Sequence, residues 1–458
     1  MRRWIRKLEM LIFAFLLAGS INMAGILWMM QTGGGATFFY LVAAFLFFLY
    51  ANIMPLTGYR EGGEGMGIRL RRLNRGRALI LYTGLTSIVN IFWYIWLGQK
   101  MLLPGAGIKA AAFYLLAILL TLCGEGILLL NGSLHLMLTS VQMGIRYRIA
   151  LCLLWWIPGV NLCLFIKLYK LAGAEYETEL EKEELDAVRK ENECCHTKYP
   201  ILLVHGVFFR DMRFLNYWGR IPKELIRNGA DVYYGNQQSA ATVDVCGAEL
   251  AERIREIVSE TGCGKVNIIA HSKGGLDARY AISKCGMAPY TASLTTVNTP
   301  HRGCLFADYL LDKAPAGVRN FLAARYNHTL QKLGDSAPDF LGAVTDLTAG
   351  RCADRNKQLP DNGQVYYQSV ASSMKRARSG RFPLNITYYL VKHFDGENDG
   401  LVSIESALWG NVYCILRHKK IRGISHGDMI DLNRENIPAF DVREFYVNLV
   451  RDLKEKGF

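Results

Sequence analysis

The stretch Val266-Asn267-Ile268-Ile269-Ala270-His271-Ser272-Lys273-Gly274-Gly275 decides how the chain is read. Mostly apolar residues lead, through His271, into a serine. A glycine pair follows, and then the helix formers Leu276, Asp277, Ala278, Arg279 and Tyr280. The pattern is strand, sharp turn, helix. Small residues stand two positions before the serine (Ala270) and two after it (Gly274). A turn this tight strains the backbone at the serine, and larger side chains at those two places would collide. The hydroxyl is therefore expected to stand clear of the sheet, facing the first amides of the next helix.

The residues around this turn alternate between strand and helix patterns. Ile201–Val204 reads as a short buried strand, followed by His205-Gly206-Val207-Phe208-Phe209. Residues 219–228 read as a helix and Asp231-Val232-Tyr233-Tyr234 as a strand. Leu250, Ala251, Ile254, Ile257 and Val258 share one helical face, which Gly262 and Gly264 close. Strands follow at 294–297 and 364–370, and Val442, Phe445, Tyr446, Leu449, Val450 and Leu453 mark a last helix. Such alternation implies a parallel sheet covered on both faces. Residues 305–345 hold helical stretches and no strand. They are either a lid over the edge of the sheet where ligands bind or a packed helix pair.

A serine hydroxyl is a weak nucleophile at neutral pH. It needs a base within hydrogen-bond reach, and the base needs an acid to orient it. On this kind of turn the chain order is serine, acid, histidine. The histidines downstream of Ser272 are His301, His328, His393, His418 and His426. His426 is preferred because Ser425-His426-Gly427-Asp428 forms a short loop ahead of the last helix. His418 lies in the basic run Arg417-His418-Lys419-Lys420, and His301 reads as a brace beside the serine strand. The acid is Asp399 or Asp395. Asp399 is favoured, since Gly400 and a strand behind it would fix its direction. Two backbone amides, of Lys273 and Val207, are placed to hold an oxyanion. The Lys273 side chain reads as solvent-exposed.

Several collinear motifs carry a family resemblance: Tyr199-Pro200-Ile201-Leu202-Leu203-Val204-His205-Gly206, Tyr217-Trp218-Gly219-Arg220-Ile221-Pro222, the serine stretch from Lys265, Pro300-His301-Arg302-Gly303, Asn398-Asp399-Gly400-Leu401-Val402 and His426-Gly427-Asp428. Residues 198–458 resemble bacterial triacylglycerol lipases of the pseudomonad type. The resemblance implies an α/β-hydrolase fold, a Ser272–Asp399–His426 triad and Val207 and Lys273 as amide donors. It implies a lid at 305–345 and no required cofactor. It also implies a structural calcium, for which Asp428 matches one ligand and no second carboxylate is assigned.

The preceding part of the 458-residue chain differs in character. Residues 1–170 carry 16 Lys+Arg against 4 Asp+Glu, and the remainder carries 37 against 36. The excess charge sits among apolar segments, as membrane orientation signals do, and no basic stripe suits nucleic acid. Apolar segments at roughly 10–30, 37–56, 78–103 and 110–130 match a bilayer core of about 30 Å. Residues 131–147 either extend the fourth span or lie on the surface. A further segment, 149–166, holds Ile157-Pro158-Gly159 and either crosses as a kinked helix or turns back. Five spans, give or take one, are expected, with the membrane face that carries the later domain left open. Glu125 lies inside the fourth span and is read as facing other helices or lying near an interface rather than as a functional acid. Arg60, Arg69, Arg71, Arg72, Arg75 and Arg77 make the loop before the third span basic. The eleven scattered cysteines show no metal spacing and suggest no disulfide framework.

The expected organisation is a transmembrane domain (1–172), a charged solvated linker (173–197) and an α/β-hydrolase domain (198–458). The whole reads as a multi-pass cell-membrane serine ester hydrolase, with lipid or acyl-ester substrates and the bilayer as partners. Thioester cleavage, acyl transfer by the same serine and a non-catalytic membrane scaffold or sensor are the alternatives.

Overall fold

Packing divides the chain into two units, Met1–Leu185 and Asp186–Phe458. The computed structural model describes residues 2–31, 33–57, 67–101, 107–189, 191–207, 216–332, 334–417 and 422–458. Arg60, Phe208, Phe209 and His418 lie outside the described residues.

The first unit is helical: α1 (Arg2–Ile21), α2 (Met23–Met29), α3 (Gly35–Ile53), α4 (Ile68–Met101), α5 (Ile108–Thr139), α6 (Ile145–Leu154) and α7 (Val160–Arg189). Among the described residues, α3, α4 and α5 are long and apolar enough to cross a membrane. The pair α1 and α2, bent by 70°, makes a fourth if counted as one span. By length and composition this makes three spans, or four with the bent pair, at or below the lower end of the five, give or take one, that were expected. The segment that fails is 149–166. Pro158 has no amide to continue a helix, and Gly159 takes φ 79°, so the chain turns between α6 and α7. With 10 residues, α6 spans only about 15 Å at 1.5 Å per residue. Residues up to Thr139 extend α5, and a turn then leads into α6.

Glu125, on α5, accepts hydrogen bonds from Ser87 Oγ (2.9 Å) and Asn90 Nδ2 (2.7 Å), so it faces α4 as read. The charged stretch after residue 173 is not simply a solvated connector. α7 runs through it unbroken, and Glu175, Tyr176 and Lys182 are buried. Glu175 accepts from Arg69 (2.6 Å), Ser140 Oγ (2.6 Å) and the Val141 amide (2.9 Å), which offsets the desolvation of its charge.

The second unit contains β1 (Ile201–Val204), α8 (Ile221–Arg227), β2 (Val232–Tyr234), α9 (Val243–Thr261), β3 (Val266–His271), α10 (Gly274–Ser283) and β4 (Thr291–Val297). After these come α11 (Leu305–Lys313), α12 (Ala316–Lys332), α13 (Phe340–Thr345), α14 (Ala349–Gln358), β5 (Tyr366–Ser373), α15 (Leu384–Asp395), α16 (Ile404–Ala407), β6 (Asn411–Arg417) and α17 (Val442–Glu455). The strands form one sheet in the order β2-β1-β3-β4-β5-β6, parallel throughout. Alternate residues serve opposite faces. Ile201, Leu203 and Ile269 pack with Trp218, Leu225 and Tyr446 on the side of α8 and α17. Leu202, Val204, Ile268 and Ala270 pack with Leu250, Ile254 and Ala278 of α9 and α10 on the other. Each such side chain contributes roughly 1.5–3 kcal/mol on burial. β1 and β3 are buried on both faces, which is why they read as unbroken apolar runs.

β2 and β3 flank β1 on opposite sides, so the connections after β1 and β3 run to different faces. Their ends open a crevice where such sheets bind ligands. One local expectation fails, and one strand was not foreseen. No strand follows Asp399: the chain makes a tight turn and enters α16. β6 had no signal in the sequence, because this edge strand is only partly buried and alternates weakly.

Gly274 lies where a Cβ would strike the carbonyl oxygen of His205 and come within 2.9 Å of that of Val204. Gly274→Ala is expected to lower stability by about 1–3 kcal/mol, as overpacking does. Thermal unfolding of the purified protein checks this; an unchanged Tm would contradict the tightness of the turn.

Candidate active site

Ser272 ends the strand–helix turn with φ 55°, a left-handed conformation that residues with a Cβ rarely adopt. Its amide donates to Val297 O at 3.0 Å, and its carbonyl accepts from the Gly275 amide at 3.1 Å, so the strained turn is held at both ends. Gly206, after β1, allows the neighbouring loop to come close. A Cβ there would lie 2.8 Å from Ser272 Cβ and 2.8 Å from Tyr217 Oη. Val207 follows directly. Among the described residues, neither the Val207 amide nor the Lys273 amide has a hydrogen-bond acceptor.

The late loop supplies His426. Its ring Nδ1 is 2.6 Å from Asp399 Oδ2, and its amide donates to Asp399 O at 2.9 Å. Asp399 is fully buried. Its Oδ1 accepts from the amides of Leu401 (2.9 Å) and Val402 (2.8 Å), so the turn after it does the orienting expected of a strand. With Nδ1–H donating to the carboxylate, Nε2 is the nitrogen left free to take a proton. The His426 ring centre is 4.4 Å from that of His271, the residue before Ser272. The structure thus pairs Asp399 with His426 and sets the His426 ring beside the residue that precedes Ser272.

The competing candidates lie elsewhere. Asp395 accepts from the Leu305 amide at 3.3 Å, at the start of α11, and burial raises its carboxyl above the usual range. His301 is buried, pairs with Thr296 Oγ1 at 3.0 Å and stacks on Trp409. It also touches Arg279 of α10, as a brace would. His328 and His393 are exposed on α12 and α15.

Lys273 departs from expectation. Its side chain is 1% exposed and its Nζ lies 2.7 Å from Asp277 Oδ1, one turn along α10. The i,i+4 spacing of opposite charges after the serine was the available signal. What it did not disclose is burial, which raises Asp277 to about 6. Removing one partner of such a pair costs about 3–5 kcal/mol. Tyr217, whose Oη is 2.7 Å from His271 Nδ1, was also not singled out.

The residues present do not fit the calcium implied by resemblance. Asp428 Oδ1 receives Arg422 Nη2 at 3.0 Å and Oδ2 receives the Ser425 amide at 2.8 Å. Among the described residues no group of three His, Cys, Asp or Glu converges on a metal position. A guanidinium thus occupies the side of Asp428 where a cation would bind.

Burial holds His271 and His301 well below the usual histidine value, helped by His426 beside the first and by Arg279 beside the second. Both remain neutral in the fold. The unfolded chain protonates them below about pH 6.5, so the unfolded state then binds more protons. Stability is therefore lost as pH is lowered below that value, by up to about 1.4 kcal/mol per pH unit for each ring. Asp277 acts in the opposite sense between about 6 and its ordinary 3.8.

The chain is similar to several known proteins. Residues 202–314 match the family described as "Putative serine esterase (DUF676)". A triacylglycerol lipase of Vibrio cholerae is 35% identical over 241 residues, covering 47% of this chain and 76% of that one. A triacylglycerol lipase of Pseudarthrobacter phenanthrenivorans is 36% identical over 181 residues, covering 36% of this chain and 56% of that one. The chain spans about half the length of that relative and of a similar one from Burkholderia plantarii, 56% and 49%. Among solved structures, the Staphylococcus hyicus lipase aligns at 18% identity and TM-score 0.45, covering 57% of this chain and 97% of that one.

Two outcomes follow from this geometry. Chelation by EGTA should leave Tm unchanged, whereas Arg422→Ala should lower stability by about 1–3 kcal/mol by orphaning buried Asp428. A chelator-sensitive Tm would restore the metal. His301→Asn should flatten the decline of Tm with pH below about 6.5, read by scanning wild type and variant in parallel.

Proposed function

Since this chain belongs to the triacylglycerol lipase family, we propose that it is a membrane-anchored serine lipase or carboxylesterase that hydrolyses acyl esters of glycerolipids through an acyl-enzyme. The observation that carries the reading is the 2.6 Å Asp399–His426 contact beside the left-handed Ser272. An otherwise costly strained serine and a buried carboxylate aimed at one imidazole nitrogen together support nucleophilic chemistry.

In this mechanism Ser272 Oγ attacks the acyl carbon while its proton passes to His426 Nε2. Asp399 keeps Nδ1–H in place and stabilises the imidazolium. The carbonyl oxygen becomes an oxyanion, held by the Val207 and Lys273 amides. The intermediate collapses as the alcohol leaves with the proton from His426, and Ser272 remains acylated. Water then repeats the sequence, giving its proton to His426 and releasing the acid as Ser272 regains its proton. Each amide contributes about 2.7–4 kcal/mol to such a step in comparable enzymes. The Lys273–Asp277 pair supports the reading by fixing the residue that carries one of those amides.

Anchoring in the cell membrane is supported by the apolar helices of the first unit. A site tethered to a bilayer meets lipid esters at high local concentration.

A serine-reactive fluorophosphonate should label the full chain and not Ser272→Ala; a wild type that never labels would leave a binding domain and remove the enzyme. Asp399→Asn should lower kcat by about 10⁴-fold, because the imidazole loses its orienting acceptor. Asp395→Asn should cost far less; ester hydrolysis by both variants decides, and the reverse ranking would reassign the acid.

A further inference from the structure

The segment from Met374 to Phe394 departs from the balance of its domain. It holds five Lys or Arg and no Asp or Glu, whereas residues 171–458 as a whole carry 37 basic against 36 acidic side chains. Arg381 pairs with Glu435 at 3.4 Å. Among the described residues, Lys375, Arg376, Arg378 and Lys392 make no ion pair, and all four are exposed. Interleaved with them stand three large apolar side chains in solvent: Phe382 at 79%, Tyr389 at 67% and Ile386 at 62% exposure. Ile386 and Tyr389 lie three residues apart on α15 and so share a face.

The same segment touches both loops of the candidate site. Thr387 Oγ1 donates to Gly400 O at 2.5 Å, next to Asp399. Leu384 Cδ1 lies 3.7 Å from where a Cβ on Gly427 would be, next to His426. The patch extends onto α11 through the rings of Tyr309 and Phe394, 5.0 Å apart, and Leu305, Tyr309 and Leu310 are exposed there.

We propose that the α15 face and its basic approach, residues 375–393, dock on the surface of an anionic phospholipid bilayer. The inference rests on the lipase reading above and adds a preferred surface to it. Exposed aromatic and aliphatic side chains enter the acyl–headgroup boundary, and the unpaired cations meet lipid phosphates and anionic headgroups. An acidic protein would satisfy the cations. It would not account for interleaved apolar side chains on a chain that also carries helices of bilayer length. Because α15 supports the loops of Asp399 and His426, docking by this face presents the site to the lipid.

Each cation near an anionic surface contributes about 1 kcal/mol, so Arg376→Gln/Arg378→Gln should shift the docked–free equilibrium by about 30-fold. The test places the full chain in nanodiscs of phosphatidylcholine alone or mixed with phosphatidylglycerol. Amide exchange over 375–394 is followed, together with hydrolysis of a water-soluble short ester and of a disc-borne long-chain ester. Exchange is expected to slow only in anionic discs. The slowing and the disc-borne activity should fall in the double arginine variant and in Ile386→Ser/Tyr389→Ser, with soluble-ester hydrolysis unchanged. Equal exchange in both discs, or variants indistinguishable from wild type, would overturn the docking proposal. A wild type that cleaves neither ester would instead sink the lipase reading, while the exchange data still judge docking.

Discussion

A steric bargain at one residue governs the hydrolase unit. Ser272 takes a left-handed backbone conformation, and it keeps it because its neighbours leave no space for another. Gly274 lies against the β1 carbonyls, Gly206 against Ser272 itself, and Gly275 against Thr299. Any Cβ at these three glycines would open the turn. Glycine is therefore required on both sides of the serine, and the β1 loop approaches it closely at Gly206.

The sheet order turns that local geometry into a crevice. With β1 between β2 and β3, the connections leaving β1 and β3 diverge, and the loops after β5 and β6 complete the rim. Paired cations then fix the polar parts. Lys273 is held by Asp277 within α10, and Arg422 takes up Asp428 two residues beyond His426. Arg279 lies over the Trp409 ring with its guanidinium carbon 3.7 Å from the ring centre, beside His301. Lys273 and Arg279 are buried with a partner, and Arg422, a quarter exposed, pairs with buried Asp428, so the loops carrying the proposed chemistry are anchored by directional contacts.

The helical unit also pairs polar side chains between its helices. Its polar side chains meet one another: Asn22 Nδ2 donates to Asn90 Oδ1 at 2.6 Å where α1 gives way to α2, and Asn90 in turn donates to Glu125. Lipid-length segments and a basic charge excess were visible in the residue order. The outcome at Pro158-Gly159, kink or turn, was not.

The amino-acid sequence by itself determined the strand–turn–helix at Ser272, the parallel sheet, and the histidine and aspartate worth examining, because periodicity, glycine placement and chain order are local or ordinal properties. Folding in three dimensions decided what depends on distance. It set Asp399 rather than Asp395 against His426, buried Lys273 with Asp277, placed Arg422 where a metal ligand set was expected, and turned the chain at Gly159. It also added β6, whose half-exposed edge position leaves no period to read. Pairing and burial arise between segments far apart in the chain, and residue order alone does not record which of two nearby carboxylates ends up facing an imidazole.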